Sequence, residues 1–455
     1  MTKLILLFLV AIAIQLVSAK FPFYTTKAFT QKPVHDLEDP LILTPLLKQG
    51  QIEAAKEAAK VDLVDFQNVT SYAGYLTVDE PNNGNLFFWF FPSANDYGKD
   101  PVLLWLQGGP GSSSLFGLFA EHGPFIVENN TVSLREYSWH KNYSVLYIDQ
   151  PVGTGFSFTD GDYVTNQTQV GNHLYTGLVQ FFTLFPELQK LPFYVSGESY
   201  GGKYVPAISY TIHQRNPSAD LKINLQGVII GNGLSDPLHQ FDYGDLLYQL
   251  GLIDLPTLKE FYVKQNNTVS LIKQGNFHAA TDGWNEIVNG FSSNTALDDI
   301  YNFIKDTDDS PTEWTTFVTQ DRVRKALHVG SAQYSDQNYD VYDGLYADIS
   351  RSVAPWVSEL LNHYRVLIFN GQLDIIVGYV LTANYLQNLE FSAAAEYKLA
   401  ERQIWTVGES RIAGYVKIAG NLTEVMVRNA GHMVPSDQPE AAFDLINRFI
   451  DNRFD

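Results

Sequence analysis

With 455 residues and an aromatic fraction of 14%, the chain is predicted to fold around a large core, which excludes a disordered protein. Its formal net charge of −20 argues against nucleic acid and anionic membrane surfaces as partners, because both attract basic faces. It contains no cysteine, which excludes disulfides, a thiolate nucleophile and any cysteine-ligated metal.

The N-terminus has the pattern of a secretory signal peptide. A short basic start precedes a nearly continuous apolar run over residues 4–17, and small residues lead to a cleavage position after Ala19. The apolar run is too short to cross a membrane comfortably. We therefore expect residues 1–19 to be removed, leaving no membrane anchor and a mature protein that is secreted or lysosomal.

Six Asn-X-Ser/Thr sequons fit passage through the secretory pathway, although each one alone is common by chance. The N-glycosylation candidates are Asn68, Asn129, Asn142, Asn166, Asn266 and Asn421.

After the signal, residues 20–65 are predicted to form an N-terminal arm. Prolines keep its first half extended, and residues 52–59 have helical propensity. The arm is interpreted as either a pro-segment or a surface helix. Residues 71–78 and 86–91 then predict an antiparallel hairpin, because a Pro-Asn-Asn-Gly turn separates them.

Buried strands and helices alternate in the next part of the chain. Continuous apolar runs predict buried strands at residues 102–106, 145–148, 193–196, 226–231 and 366–369. Helical periodicity covers residues 170–185, and an amphipathic helix is predicted over residues 439–449. Alternation of this kind favours an α/β fold with a mostly parallel central sheet flanked by helices.

The alternation breaks between residues 236 and 354, where helix-like stretches and polar loops replace the buried strands. We interpret this region as a mainly helical cap insertion. The predicted core therefore has two parts, residues 66–235 and residues 355–455, with the cap between them.

Residues 197–201 read Gly-Glu-Ser-Tyr-Gly and stand between a predicted strand and a predicted helix. Gly-X-Ser-X-Gly in this context is the nucleophile elbow of α/β-hydrolases, a tight turn that presents its serine at the carboxyl end of the sheet. The predicted fold is thus an α/β-hydrolase fold, and Ser199 is the candidate nucleophile.

A serine nucleophile needs a histidine base and an acid that holds the base in the correct tautomer. In this fold the acid and then the histidine follow the serine along the chain. His432 lies in a glycine-flanked turn after a late predicted strand, and Asp374 follows a buried strand between the two. Asp340 and Asp343 are weaker candidates because they lie in the predicted cap. Asp149 precedes the serine and so has the wrong order.

The oxyanion hole requires two backbone N–H groups. Tyr200, the residue after the nucleophile, is one candidate donor, and the Gly108-Gly109 loop supplies the other. An ordinary turn is the alternative interpretation of this loop. A phosphate-binding loop is not indicated, because the lysine of a Walker A sequence is missing.

Taken together, seven motifs in one order resemble the serine carboxypeptidases, and most of all their vitellogenic-carboxypeptidase-like branch. The motifs are residues 105–114, 121–124, 147–157, 197–204, 231–233, 326–329 and 429–435. The resemblance implies an enzyme that removes single C-terminal residues from peptides through an acyl-enzyme. It implies a triad of Ser199, Asp374 and His432, with Gly109 and Tyr200 as oxyanion donors. It implies no metal and no cofactor.

The resemblance also implies a binding site for the terminal carboxylate of the substrate, formed by Gln107, the Gly108 backbone, Glu121 and Glu198. Two glutamates held close together cannot both ionise cheaply, so one keeps its proton to higher pH and can donate to a carboxylate. Activity is therefore expected to be highest in acid. Gln107 stands where the family usually has asparagine, and its additional methylene changes the reach of the amide. Ser112 stands where many members have a disulfide cysteine.

Two other functions stay open from the sequence. An acyltransferase or esterase on the same scaffold would keep the triad, and assays of peptide cleavage against acyl transfer would separate it from a peptidase. A non-catalytic secreted binding protein is disfavoured by the intact triad. Failure of a serine-directed reagent to label Ser199 would support it.

Overall fold

The computed structural model describes residues 39–306, 310–408 and 410–454. The predicted signal peptide and the first half of the predicted arm lie outside these residues. The strands of the described ranges are β1 (Tyr72–Asp79), β2 (Gly84–Phe91), β3 (Val102–Leu106), β4 (Phe125–Glu128), β5 (Thr131–Leu134), β6 (Ser144–Ile148), β7 (Phe193–Glu198), β8 (Leu225–Gly231), β9 (Arg365–Gly371), β10 (Gln403–Val407), β11 (Arg411–Ala419) and β12 (Leu422–Val427).

Ten of these strands form one mixed sheet in the order β1-β2-β6-β3-β7-β8-β9-β12-β11-β10, and β4 and β5 form a separate hairpin. The six central strands from β6 to β12 pair in parallel. Antiparallel pairs lie at both edges, and β1 and β2 form the hairpin predicted from the sequence. The carboxyl ends of the parallel strands therefore meet at one edge of the sheet.

Helices connect and cover the strands. The α-helices of the described residues are α1 (Thr44–Lys48), α2 (Ile52–Ala58), α3 (Gln167–Leu184), α4 (Gly201–Arg215), α5 (Pro237–Gln240), α6 (Tyr243–Gln249), α7 (Leu255–Lys273), α8 (Phe277–Thr295), α9 (Glu313–Val318), α10 (Asp321–Ala326), α11 (Tyr339–Gly344), α12 (Tyr346–Ile349), α13 (Ala354–Leu361), α14 (Tyr379–Asn388), α15 (Ala394–Leu399), α16 (Val434–Asp437) and α17 (Pro439–Asp451). None of the helices in this part of the chain has the length and apolar character needed to cross a membrane.

The sheet is buried on both faces, which explains why its central strands are mostly apolar. In β3, Leu104 packs into one core layer with residues of α3 and α4, whereas its neighbour Trp105 packs into the opposite layer with residues of α17. Successive side chains of a strand point to opposite faces, so most positions of a strand between two helical layers are apolar.

The described half of the predicted arm packs against the edge of the sheet. The backbone nitrogen of Leu43 donates to Tyr75 of β1 at 2.9 Å, and the backbone nitrogen of Tyr75 donates to Leu41 at 3.0 Å. Leu43 and Ala55 are fully buried. Residues 41–59 are therefore integrated into the core in this structure, a contact that the sequence pattern alone did not indicate.

Only helices and loops connect β8 to β9 within the described residues. The two longest of these helices, α7 and α8, pack against each other. Phe241 stacks on Trp284 of α8 with ring centroids 5.1 Å apart and joins this helical pair to the main core layer. The sequence predicts a cap over residues 236–354, and its exact limits stay a prediction.

Candidate active site

Ser199 lies in the sharp turn between β7 and α4. Its φ is 63°, a left-handed conformation that non-glycine residues rarely adopt and that marks a functionally constrained position. A Cβ added at Gly197 or Gly201 would lie 2.6 or 2.8 Å from the carbonyl oxygen of Leu106. The turn therefore requires both glycines because the end of β3 passes directly beside it. Ser199 is partly exposed, whereas its neighbours Glu198 and Tyr200 are buried.

Asp374 and His432 face each other at the same edge of the sheet. Asp374 follows β9 and His432 follows β12, two neighbouring parallel strands. His432 Nδ1 lies 2.7 Å from Asp374 Oδ2, and both side chains are fully buried. His432 Nε2 has no hydrogen bond to any described residue, including Ser199. The contact between nucleophile and base is often long before substrate binds.

Asn232 also holds the carboxylate of Asp374. It follows β8 with a φ of 42°, and its Nδ2 donates to Asp374 Oδ2 at 2.7 Å. Its Oδ1 accepts from the backbone nitrogen of Gly371 at 3.2 Å. Asn232 belongs to the Gly-Asn-Gly stretch at residues 231–233, but no local signal connects this residue to an aspartate 142 positions later.

A segment of the region between β8 and β9 supports the two loops that carry Asp374 and His432. The backbone nitrogen of His432 donates to the carbonyl of Tyr301 at 2.7 Å, and that of Ile375 donates to Ile300 at 3.1 Å. The Tyr301 ring lies 5.2 Å from the His432 ring. Residues 300–301 therefore position both side chains, which the sequence did not predict because this segment has no recognisable pattern.

The glycine-rich loop after β3 lies against the elbow. A Cβ added at Gly108 would come within 2.5 Å of the backbone nitrogen of Tyr200 and 2.8 Å of the Ser199 Cβ. Only glycine therefore fits at position 108. The loop also contains Gly109, whose φ is +105°. The backbone of the glycine-rich loop thus lies close to the N–H of Tyr200. An oxyanion hole needs two backbone N–H groups that are close together in this way.

Asp149 links the glycine-rich loop after β3 to the loop after β6. Its carboxylate accepts hydrogen bonds from Ser113 Oγ at 2.6 Å and from the backbone nitrogens of Ser114 and Phe156, both at 2.9 Å. Asp149 thus has a structural position under the loop, consistent with its exclusion as the triad acid by chain order.

A continuous chain of hydrogen bonds orients the Gln107 amide. Trp105 Nε1 donates to Gln107 Oε1 at 2.9 Å, and Gln107 Nε2 donates to Glu198 Oε1 at 3.0 Å. The three side chains are buried. Since the tryptophan can only donate, it fixes the carbonyl oxygen of Gln107 and turns the amide nitrogen towards Glu198. The additional methylene of glutamine is therefore accommodated without loss of this donor.

Glu121, the remaining residue of the predicted carboxylate-binding site, lies at the end of one turn of π-helix, Gly117–Glu121. Such turns are uncommon and frequently occur at functional sites. The next side chain, His122, stacks on Trp139 with ring centroids 3.8 Å apart. Arg135 stabilises the same turn by donating to the carbonyls of Gly123 at 3.0 Å and Phe119.

Burial raises the pKa of both Glu121 and Glu198 above the ordinary glutamate value. For Glu198 the negative charge of Glu121 adds to this increase. The Glu198 Oε2 atom and both carboxylate oxygens of Glu121 are buried without a donor among the described residues. Because an ionised carboxylate cannot donate, the two groups can hydrogen-bond to each other only when one keeps a proton. The pair is therefore expected to share a proton well above pH 4.

We expect Asp149, Glu121 and Glu198 to destabilise the fold as the pH rises from 5 to 7. His122, His140 and His173, whose pKa values burial lowers, act in the opposite direction. Burial raises the pKa of Asp149 to about 6, and the two glutamates shift in the same direction. A carboxyl whose pKa is raised in the folded state keeps a proton that the unfolded chain releases above about pH 4, so stability falls as the pH rises through this window. For each proton that the folded state retains, the free energy of unfolding falls by about 1.4 kcal/mol per pH unit.

The unfolding temperature by scanning calorimetry at constant ionic strength measures this effect. A Glu198→Gln variant, which has one fewer titrating carboxyl, should lose less stability than the wild type between pH 5 and pH 7. An equal change in both proteins would contradict the expectation.

Side chains beside the elbow hold Tyr200 in place. Tyr200 Oη donates to Asp348 Oδ2 at 2.6 Å, and Gln167 Nε2 donates to the same oxygen at 2.7 Å. The buried Lys203 donates to the backbone oxygen of Asp348 at 2.8 Å. Asp348 thus anchors the first turn of α4, a role that no sequence pattern predicted.

The remaining candidates lie elsewhere. Asp340 and Asp343 are exposed on α11, and no hydrogen bond links either to His432. Of the sequons, those at Asn68, Asn129 and Asn266 are exposed. The other three asparagines are partly buried and donate through Nδ2: Asn142 to Asn447, Asn421 to Leu361 and Asn166, which caps α3, to Gln169. Glycosylation at all six stays a prediction.

A serine in a strained turn at the carboxyl edge of a mostly parallel sheet defines the α/β-hydrolase class. Residues 63–452 match the family model described as serine carboxypeptidase. Venom serine carboxypeptidase from Apis mellifera is 50% identical, and vitellogenic carboxypeptidase from Aedes aegypti is 48% identical, each over 91% of both chains.

Probable serine carboxypeptidase CPVL from Homo sapiens is 43% identical and covers 93% of this chain and 92% of its own. The crystal structure of Kex1(delta)p, a prohormone-processing carboxypeptidase from Saccharomyces cerevisiae, superposes with a TM-score of 0.78 at 27% identity, over 87% of this chain and 96% of that one. The chain belongs to the serine carboxypeptidase family. The α/β-hydrolase fold and the carboxypeptidase function predicted from the sequence are thereby confirmed.

Proposed function

We propose that this serine carboxypeptidase works in acid through an acyl-enzyme formed on Ser199. The observation that carries the proposal is the buried Asp374–His432 pair, 2.7 Å apart, at the sheet edge where the elbow presents Ser199. Asp374 Oδ2 accepts from His432 Nδ1–H and leaves Nε2 without its proton. Nε2 is then the base that takes the proton of Ser199 Oγ.

In the first step Ser199 Oγ attacks the carbonyl carbon of the last peptide bond while His432 Nε2 takes its proton. The negative charge that develops on the carbonyl oxygen is stabilised by the N–H groups of Gly109 and Tyr200. The imidazolium then protonates the leaving amine, and the C-terminal amino acid departs. Water, activated by the same imidazole, releases the acyl group from the serine and restores the enzyme.

The second part of the proposal is a carboxylate clamp made of Gln107, Gly108, Glu121 and Glu198. A glutamate pair that shares one proton can donate to the terminal carboxylate of a peptide, whereas two ionised glutamates would repel it. The Gln107 amide and the Gly108 N–H are further donors. The oxygens of Glu121 and Glu198 that have no hydrogen-bond partner among the described residues are available to a substrate carboxylate, which supports this role. The clamp limits cleavage to the last residue.

We also propose that the protein acts in a secretory compartment or outside the cell. The apolar run at residues 4–17, the six sequons and the net charge of −20 support this. An acidic chain loses much of its self-repulsion at low pH, where many of its carboxylates are neutral.

Digestion of a peptide library at pH 5, followed by mass spectrometry, tests the proposed activity. We expect products shortened from the C-terminus one residue at a time, and much slower cleavage of peptides whose C-terminus is amidated. Internal fragments would contradict the clamp. Intact peptides together with turnover of simple esters would favour the esterase alternative. The same digestion reports the side-chain preference of the enzyme.

A further inference from the structure

A cluster of three side chains, His213, Glu359 and His363, lies at the end of α4 that is far from the elbow. One potential ligand atom of each residue lies within 4.8 Å of those of the other two. His363 Nε2 is 3.1 Å from Glu359 Oε1, and His213 Nε2 is 3.7 Å from the same oxygen. Among the residues that the structure describes, no other three histidine or acidic side chains meet in this way.

Two packed helices hold the cluster together. His213 lies near the end of α4, the helix that begins at the elbow, and Glu359 lies on α13, with His363 just beyond its end. One turn earlier on each helix, Tyr210 and Trp356 stack with centroids 5.6 Å apart and an angle of 12° between the rings. Tyr210 precedes His213 by three residues, and Trp356 precedes Glu359 by three residues. The ring stack therefore fixes the distance at which His213 and Glu359 face each other.

The separations of Glu359 Oε1 from the two imidazole nitrogens fit a tetrahedral metal ion. Zinc binds imidazole nitrogen at 2.0–2.1 Å and carboxylate oxygen at 2.0–2.2 Å, which places neighbouring ligand atoms roughly 3.4 Å apart at a tetrahedral angle. The observed separations of 3.1 and 3.7 Å lie on either side of this value. Two imidazoles and one carboxylate are a ligand set that zinc uses in proteins, with a fourth position for water.

Tyr364 provides the outer contact that such sites usually have. Its Oη lies 3.1 Å from His213 Nδ1. If the tyrosine oxygen accepts the proton of Nδ1, His213 Nε2 is left unprotonated and faces Glu359. Metal-binding histidines commonly have their second nitrogen held in this way, and the partner orients the ring. An ordinary surface pair of histidine and glutamate has no need of it.

We propose that His213, Glu359 and His363 bind a divalent transition metal ion of the zinc class, which links the end of α4 to α13. The ligands are accessible, since His363 and Glu359 are nearly half exposed and His213 is 21% exposed. The site is separate from the triad and takes no part in the proposed reaction. Its imidazole content excludes Ca²⁺ and Mg²⁺, which prefer oxygen ligands.

The test is calorimetric titration of the full chain, purified without a polyhistidine tag and stripped with a chelator, with ZnCl₂ at pH 7.5. We expect one Zn²⁺ per chain at this site. Glu359→Gln and His363→Gln should each weaken binding at least about tenfold, and Tyr364→Phe should weaken it by about tenfold, as outer contacts of metal sites do. MgCl₂ should give no binding heat at this site.

The chain offers a matched control in His278 and Asp282, another pair four residues apart whose atoms lie 3.4 Å apart, but without a third ligand. His278→Gln should leave the affinity for Zn²⁺ unchanged. Substitution with Co²⁺ gives a second readout, because a tetrahedral site absorbs strongly in the visible range and this band should disappear in His363→Gln.

Equal affinity in the wild type, Glu359→Gln and His363→Gln would overturn the proposal. Loss of Zn²⁺ binding in His432→Gln but not in His363→Gln would also overturn it and would assign the metal to the triad histidine. Near-ultraviolet circular dichroism confirms that each variant is folded. If His363→Gln does not fold, the isosteric Glu359→Gln variant and the Co²⁺ spectrum decide the question.

Discussion

Replacing Ser199 with alanine is expected to lower kcat/KM for a peptide substrate by roughly 10⁵- to 10⁶-fold, as loss of the nucleophile does in other serine peptidases. The oxyanion donors and the binding site remain, so a small activity above the uncatalysed rate should persist. Steady-state hydrolysis of a chromogenic peptide at pH 5 measures the change. Labelling by a fluorophosphonate reagent should disappear in parallel.

Ser209 is a matched control for this substitution. It lies on α4, is fully buried, and its hydroxyl has no hydrogen-bond partner among the described residues. Ser209→Ala should therefore retain wild-type activity and labelling. A Ser199→Ala enzyme with activity within tenfold of the wild type would exclude Ser199 as the nucleophile.

The second large effect is expected at the carboxylate clamp. For the wild type, kcat/KM on peptides with a free C-terminus should fall as the pH rises through about 7, the value to which burial raises the pKa of Glu121. The reason is that the raised pKa values of Glu121 and Glu198 keep a shared proton at low pH and lose it at higher pH. Once both carboxylates are ionised, they repel the carboxylate of the substrate.

Glu198→Gln separates proton sharing from hydrogen bonding. The glutamine amide can donate at any pH, so the fall in activity around pH 7 should be smaller than in the wild type. At pH 5 we expect a loss of about 10- to 100-fold, the cost of replacing one charge-assisted hydrogen bond of about 1.5–3 kcal/mol. The pH profiles of kcat/KM for free and amidated peptides measure both effects.

Glu424 is the matched control for the clamp. It is buried on β12, and its Oε2 accepts from Tyr397 at 2.7 Å, which is a structural contact outside the clamp. Glu424→Gln should leave the shape of the pH profile unchanged. Identical pH profiles of the wild type for free and amidated peptides would exclude a role for the glutamate pair in carboxylate binding.

Local patterns predicted the strands and the turns best. Continuous apolar runs marked β3, β6, β7 and β8, because strands buried on both faces are apolar at most positions. Edge elements were harder to predict. The strand β10, with only Trp405 and Val407 buried, has an apolar pattern too weak to stand out. The helix α3 begins three residues earlier than its periodicity predicted, because Asn166 caps it.

The amino-acid sequence by itself was sufficient to predict a nucleophile elbow. Gly197, Ser199 and Gly201 identify it because their spacing reflects a local requirement, a tight turn beside the end of β3. Chain order predicted Asp374 and His432, and the resemblance to the serine carboxypeptidases implied the clamp residues. The order of these residues along the chain was sufficient for the prediction of a hydrolase.

Only the tertiary structure decided which other side chains support these residues. Asn232 reaches Asp374 across 142 positions, and Tyr301 contacts the backbone of His432. The His213 cluster depends on the packing of α4 against α13. These contacts arise because parallel strands and packed helices bring distant segments together, and no local periodicity records which strands become neighbours. The sequence predicts the reacting residues, and the order of the strands determines which other side chains hold them in place.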